Sequence, residues 1–142
     1  MVRAVFDTNV LVSSLIRRGN PRDLWRKAVR GEIILILSPQ ILEEFDKVMA
    51  RPKLRRYVTA SRLRRFRRLL RSTATIVKPK TKFSQLTIDP DDNILVETAF
   101  DGKADYLVSG DRHLLSLGEF KGIEIVTVNE MLNLLREEKG RK

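Results

Sequence analysis

Short apolar runs alternate with amphipathic stretches along most of this chain. Residues 2–6 form an apolar run that stops at Asp7, which predicts a buried first strand. Thr8 or Asn9 is then placed to cap a helix reaching about Arg17. Gly19-Asn20-Pro21 breaks that helix, with Asn20 as N-cap and Pro21 at the first position of a second one. This second helix carries Leu24, Trp25, Ala28 and Val29 on one face and stops at Gly31. The unbroken β-branched and leucine run at 33–37 predicts a strand covered on both faces. Ser38-Pro39 opens a helix to about Met49, which Arg51-Pro52 ends.

Residues 61–73 predict a helix whose apolar stripe is Leu63, Phe66, Leu69 and Leu70, while Arg64, Arg67, Arg68 and Arg71 share another face. A short strand is expected at 75–77, followed by a Lys/Pro loop. Asp89-Pro90-Asp91-Asp92 leads into a helix to about Phe100, ended near Gly102. Strands are expected at 106–109 and 123–128, with a turn of helix at 114–117 between them. Asn129 is placed to cap a last helix to about Glu137. Residues 1–137 read as one domain and 138–142 as a charged, frayed tail. The alternation argues for an α/β fold with a central parallel sheet covered on both faces, in which sites form beyond the carboxyl ends of the strands. Asp7 ends the first strand and Asp111 follows the strand at 106–109, so the two are paired from the outset.

Composition narrows the chemistry. The chain has 142 residues, no cysteine and one histidine, His113. Disulfides, thiolate nucleophiles, Cys-ligated zinc and multi-His metal sites within one chain are thereby excluded. Neither a G-x-S-x-G turn nor a phosphate-binding G-x-x-x-x-G-K-[ST] loop is present. No apolar run is long enough for a membrane span, and the early Asp7 interrupts any signal-peptide core, so a cytoplasmic location is expected. The net charge of +10 is uneven: from Arg51 to Lys82 there are thirteen Lys/Arg and no acid, while the remaining fifteen basic residues face 18 acidic ones. Such a basic segment attracts polyanions, although a solvated arginine-rich surface has the same composition.

Whatever chemistry occurs must therefore use carboxylates, hydroxyls, lysine or arginine, and the carboxylates offer the clearest pattern. At about 100° per residue, Ile41, Leu42, Phe45, Val48 and Met49 form one stripe of their helix and Glu43 points away from it. Glu44 and Asp46 flank the stripe on either side, and the pattern leaves them tied. Asp92 shares a face with Leu95, Val96 and Ala99, an unusual place for a solubilising charge. Asp7 and Asp92 also read as helix caps and Asp111 as a turn residue, roles compatible with ligand binding.

Four segments in order resemble the motifs of the PIN-domain nucleases, a likeness covering almost the whole chain. They are Asp7-Thr8-Asn9-Val10, Ser38-Pro39 with Ile41-Leu42-Glu43-Glu44-Phe45, Asp89 through Ala99, and Leu107-Val108-Ser109-Gly110-Asp111. The resemblance selects Glu44 over Asp46, because the family's acid stands directly before an apolar residue. Arg51-Pro52-Lys53 narrows the likeness to the VapC-like toxins of toxin–antitoxin systems. It implies a three-layer α/β/α, Rossmann-like domain and an endoribonuclease using Mg²⁺ or Mn²⁺. Asp7, Glu44, Asp92 and Asp111 would form the catalytic metal site, with Asn9 and Ser109 in support. A cognate antitoxin and a homodimer are further implications. Clustered carboxylates repel one another, and a hard cation preferring oxygen ligands relieves that repulsion. Arg64, Arg67, Arg68 and Arg71 are expected to bind the RNA backbone or an acidic partner segment.

One position departs from the family: where many members carry another Asp, two residues after Asp111, this chain has His113. It is expected to pack or contact substrate, with an outer-shell ligand as the alternative. A haloacid-dehalogenase-like phosphatase would need a second Asp where Asn9 stands, and the acidic pair of a receiver domain is absent. The rival reading is a PIN-like module that binds RNA or a partner without cutting.

Overall fold

The computed structural model, which describes residues 1–83 and 89–140, lays the apolar runs side by side as a sheet flanked by helices. The chain runs through β1 (Arg3–Phe6), α1 (Thr8–Ile16), α2 (Asn20–Val29), β2 (Ile34–Leu37), α3 (Pro39–Met49), α4 (Pro52–Arg55), α5 (Ala60–Thr73) and β3 (Thr75–Ile76). It continues through α6 (Pro90–Asp101), β4 (Tyr106–Val108), α7 (Arg112–Leu117), β5 (Glu119–Phe120), β6 (Ile123–Val126) and α8 (Val128–Gly140). Among the described residues the order across the sheet is β3-β2-β1-β4-β6-β5. All neighbours are parallel except β5, which runs antiparallel to β6.

The order places a topological switch at the centre. From β1 the chain builds outward through β2 and β3, then returns to add β4 and β6 on the other side of β1. At such a reversal the loops leaving the two central strands part, and a crevice opens beyond their carboxyl ends. The ladder reaches slightly past the strands: the Asp7 N–H donates to the Val108 carbonyl and the Ser109 N–H to the Val126 carbonyl, both at 2.9 Å. The residues at the crevice floor are thus held by the sheet itself.

The core explains the rest. Phe6, Leu35, Ile36, Leu37 and Leu107 are fully buried in the central strands, as the uninterrupted apolar runs predict. Outside the sheet, Phe66 joins three helices: its ring lies 4.8 Å from Trp25 of α2 and 5.6 Å from Phe45 of α3. Gly102 closes α6 where a Cβ would meet the Ile36 Cγ2 at 2.7 Å and the Thr98 carbonyl oxygen at 2.9 Å. Only a residue without a side chain lets that helix end against β2.

Several local expectations are corrected. Of the three residues the sequence offers as a cap for α1, Asp7 takes the place rather than Thr8 or Asn9, accepting from the Asn9 N–H. Asn20 is the first residue of α2 rather than its cap; Gly19 precedes it at φ +121°, and Pro21 follows at the second position. The Asn20 amide instead donates to the Asn129 side chain, and Asn129 is no cap either. Thr127 and Glu130 start α8 by a reciprocal exchange, with Glu130 N–H to Thr127 Oγ1 at 3.1 Å and Thr127 N–H to Glu130 Oε1 at 2.9 Å. Pro52, expected only to end a helix, opens the single turn of α4. Leu69, placed in the apolar stripe, is 41% exposed, and Phe66 and Leu70 carry the packing of α5. Helix α8 runs to Gly140, past the expected end at about Glu137; the last two residues of the tail lie outside the described residues. The hairpin of β5 and β6 was not anticipated. It turns on Lys121 and Gly122, both at positive φ. A two-residue turn of that kind is usually announced by Asn-Gly, which this chain lacks.

Candidate functional site

Four elements deliver acids to one cleft at the switch point. Asp7 leaves β1, Glu44 projects from α3, Asp92 from the first turn of α6, and Asp111 follows β4. The cleft encloses about 170 Å³, and Asp89, Asp91, Asn9 and Gln40 also line it. All four sequence-predicted acids are therefore brought together. The tie on α3 is decided by packing: Glu44 faces the cleft, whereas Asp46 pairs with Arg67 on the opposite flank.

Ser109 connects two of the acids. Its buried hydroxyl donates to Asp7 Oδ2 at 2.7 Å and accepts from the Asp111 N–H at 3.0 Å. Asp111 in turn caps α7, its Oδ1 accepting from the His113 N–H at 2.7 Å and the Leu114 N–H at 3.2 Å. The cap and the cleft position coexist in one side chain. Asp92 is not a cap; Asp89 takes that place, accepting from the Asp91 N–H at 3.0 Å. His113 is exposed, and it is not among the residues lining the cleft.

Burial and crowding raise the carboxyls of Asp7 and Asp92. The Asp7 carboxyl lies above its ordinary range because of burial, opposed by the Ser109 hydrogen bond and the Asn9 backbone, with Asp111 adding repulsion. The Asp92 carboxyl is pushed up to about 6, first by burial and then by the charges of Asp111, Asp89, Asp7 and Asp91. This site carries more negative charge than it can comfortably ionise. Among the described residues no three acidic or histidine side chains stand close enough to grip a metal ion unaided. The two facts agree physically, since mutually repelling carboxylates stand apart and Mg²⁺ keeps several of its own waters. An all-oxygen donor set of this kind fits a hard divalent cation.

A pH prediction follows. With its carboxyl raised, the folded state binds more protons than the unfolded chain between about pH 4 and pH 6, so this group's contribution to stability rises as pH falls through that window. The full shift corresponds to roughly 3 kcal/mol, and facing an open cleft reduces it to about 1–2 kcal/mol. Asp92→Asn should therefore gain stability relative to wild type at pH 7 without cation, and the gain should shrink towards pH 4. Urea unfolding at the two pH values measures it; a pH-independent difference would contradict the crowding described here.

Sequence reasoning missed Asp89 and Asp91 as cleft residues, although both stand in the acidic run before α6. It also misassigned one arginine. Arg64, Arg68 and Arg71 are exposed on α5, but Arg67 is turned onto Asp46. A second basic surface went unnoticed. Arg22, Arg26, Arg30, Arg62 and Arg65 rim a groove of about 650 Å³ between α1, α2 and α5, with Trp25 and Phe66 in its lining. Its arginines come from two helices distant in sequence, so no single stretch announces it.

Comparison with known proteins agrees with this architecture. Residues 3–113 match the model of the PIN domain. The chain is 33% identical over 118 residues to the protein MJ1680 of Methanocaldococcus jannaschii, covering 82% of this chain and 75% of that one. Among solved structures, PAE2754 from Pyrobaculum aerophilum superposes with a TM-score of 0.67 at 15% identity, covering 96% of this chain and 90% of that chain. VapBC2 from Rickettsia felis, bound to a DNA fragment from their promoter, gives a TM-score of 0.62 at 13% identity, covering 89% and 98% respectively. At those identities the two structures speak for the fold. With the domain model spanning most of its length and a relative at that level of identity, the chain belongs to the PIN-domain family.

Proposed function

We propose that this protein is a divalent-metal-dependent endoribonuclease, the toxin half of a toxin–antitoxin pair. Membership of the PIN-domain family supports nuclease activity as the general class. The observation that carries the finer reading is the convergence of Asp7, Glu44, Asp92 and Asp111, from four separate elements, on one crowded cleft beyond the central strands. These four would hold Mg²⁺ or Mn²⁺. A bound cation supplies charge neutralisation at the scissile phosphate and activation of the attacking water.

The chain's own groups do the positioning. Ser109 fixes Asp7 and Asp111 relative to each other through one hydroxyl. Asp111 is further immobilised by two backbone N–H groups. Glu44 sits on a helix anchored by buried Phe45 and is placed to orient water or complete the cation site. Asn9, at the rim, is available to a phosphate oxygen. Arg64, Arg68 and Arg71 present positive charge to an RNA backbone without reading its sequence. The arginine-rimmed groove between α1, α2 and α5 suits an acidic segment of an antitoxin. The likeness in fold to VapBC2 supports such a partner here. A homodimer belongs to the same reading. Among the described residues no helix is long and apolar enough to cross a membrane, and a cytoplasmic site of action is proposed with the rest.

The test is an RNA cleavage assay in Mn²⁺ or Mg²⁺, with chelator and with Asp7→Asn as controls. Cleavage to 5′-phosphate and 3′-hydroxyl ends, abolished by chelator, is the expected result. Metal-independent cleavage that survives Asp7→Asn, or tight RNA binding with no cleavage in any divalent cation, would overturn it. The latter outcome would favour a non-cutting RNA-binding module.

A further inference from the structure

A phosphodiester carries a nucleoside on each side, so a bond held at the acids forces both neighbours to lie beside the cleft. The cleft itself, at about 170 Å³, is lined by acids that repel phosphate. A separate cavity of about 290 Å³ begins one side chain away. Asn9 lines both spaces, and Ser109, which lines the second, is hydrogen-bonded to Asp7 at 2.7 Å. The two spaces are therefore adjacent, with Asn9 between them.

The chemistry of the second cavity differs from that of every basic surface on the molecule. It is lined by neutral amides and hydroxyls, Asn9, Ser13, Thr127 and Asn129, with Val10 and Pro21 beside them, and by no Lys, Arg, Asp or Glu. Asn, Ser and Thr bind phosphate as well as base edges, but a subsite for phosphate alone would add a cation to offset its charge, and none lines this cavity. Neutral amides and hydroxyls beside apolar side chains suit an uncharged base. The lining comes from α1, from the first turn of α2, from the loop after β4 and from the start of α8, so it is built by the tertiary fold. Asn129 is also held: its Oδ1 accepts from the Asn20 amide, which reduces the rotamer freedom lost on binding.

We infer that this cavity is a base-reading pocket for the nucleotide flanking the scissile phosphate, with Asn129 and Ser13 determining which base is preferred. The inference rests on the ribonuclease reading above and extends it to sequence specificity.

The experiment uses the full chain with Mn²⁺ and a single-stranded RNA pool randomised around one position, with cut ends sequenced. Wild type should show a base preference at a position next to the cut. Asn129→Ala and Ser13→Ala should flatten or change that preference and raise KM for the preferred sequence about 5- to 100-fold, the range expected for one good base contact. The kcat on saturating substrate should change far less, since neither residue lies among the acids. Asn20→Ala is the structural control: it removes the same tie to Asn129 but no cavity-lining group, so preference should persist. If wild type cuts RNA with a preference that Asn129→Ala and Ser13→Ala leave untouched, the pocket assignment is wrong while the ribonuclease reading stands. If Asn20→Ala erases the preference equally, Asn129 acts through structure alone and the assignment fails. If wild type cuts no RNA, the underlying reading falls and the inference with it.

Discussion

Asp7→Asn should lower RNA cleavage by at least two orders of magnitude while leaving the thermal midpoint unchanged or raised. The expectation rests on the dual role of this residue. As a cap of α1 it accepts only a long hydrogen bond of 3.4 Å from the Asn9 N–H, which an asparagine oxygen can equally accept. Ser109 bonds the other carboxyl oxygen, Oδ2, where asparagine presents its NH2; that group can donate to Ser109 Oγ, so the contact to Asp111 through Ser109 survives with its direction reversed. The formal charge is what disappears. Burial and the neighbouring Asp111 disfavour that charge, so its removal relaxes the fold rather than straining it. If Asp7 holds the cation as proposed, its loss should cost about 3 kcal/mol or more of barrier, each 1.36 kcal/mol being roughly tenfold in rate. Stability and activity should thus move apart, the signature of a site held against its own electrostatic preference. A parallel loss of both would mark Asp7 as a structural cap and nothing more. Calorimetry beside the cleavage assay separates the two cases, and added Mn²⁺ should raise the wild-type midpoint while barely moving that of the variant.

Phe45→Ala should cost about 3–5 kcal/mol, the range for deleting a buried aromatic ring. Phe45 is 0% exposed and stacks at 5.6 Å on Phe66, which touches Trp25 at 4.8 Å. Removing the ring costs α3 its stacking contact with α5 and leaves Phe66 packed on one side only, and close-packed surroundings cannot collapse fully into the space. Against a native stability of about 5–15 kcal/mol, the loss is large. The urea midpoint should fall with little change in the slope of free energy against denaturant. Activity should fall too, because Glu44 is the adjacent residue and its aim into the cleft depends on how α3 seats. Leu69→Ala is the matched control: at 41% exposed it should shift stability by no more than about 0.5 kcal/mol. A loss below about 1 kcal/mol for Phe45→Ala would mean that α3 is not anchored as described.

Much of the architecture follows from local pattern. Apolar runs became central strands of three or four residues, and an acid within three residues of the end of such a run emerges at a strand's carboxyl end. Asp7 and Asp111 were therefore legible without any knowledge of contacts. Asp92 was legible from its place on the apolar face of α6, where it is 7% exposed. Helix starts were less legible, because several neighbouring residues can each cap: Asp7, Thr8 and Asn9 compete at α1, and Thr127 and Asn129 at α8. Backbone geometry chose among them.

By itself the sequence determined the order of elements, the period of each, and the three acids that end strands or face the core. Those properties depend on spacing along the chain, which folding does not alter. Only the tertiary structure decided which flank of α3 meets the cleft, and so that Glu44 joins it while Asp46 takes Arg67. Helical periodicity gives an angle around an axis and says nothing of what stands at that angle. It was packing, too, that added Asp89 and Asp91 to the cleft and assembled the arginine groove from α2 and α5. Asp7, Asp92 and Asp111 are each picked out by their own neighbours in sequence; their crowding, and the raised Asp92 carboxyl that results, exist only because distant segments are pressed together.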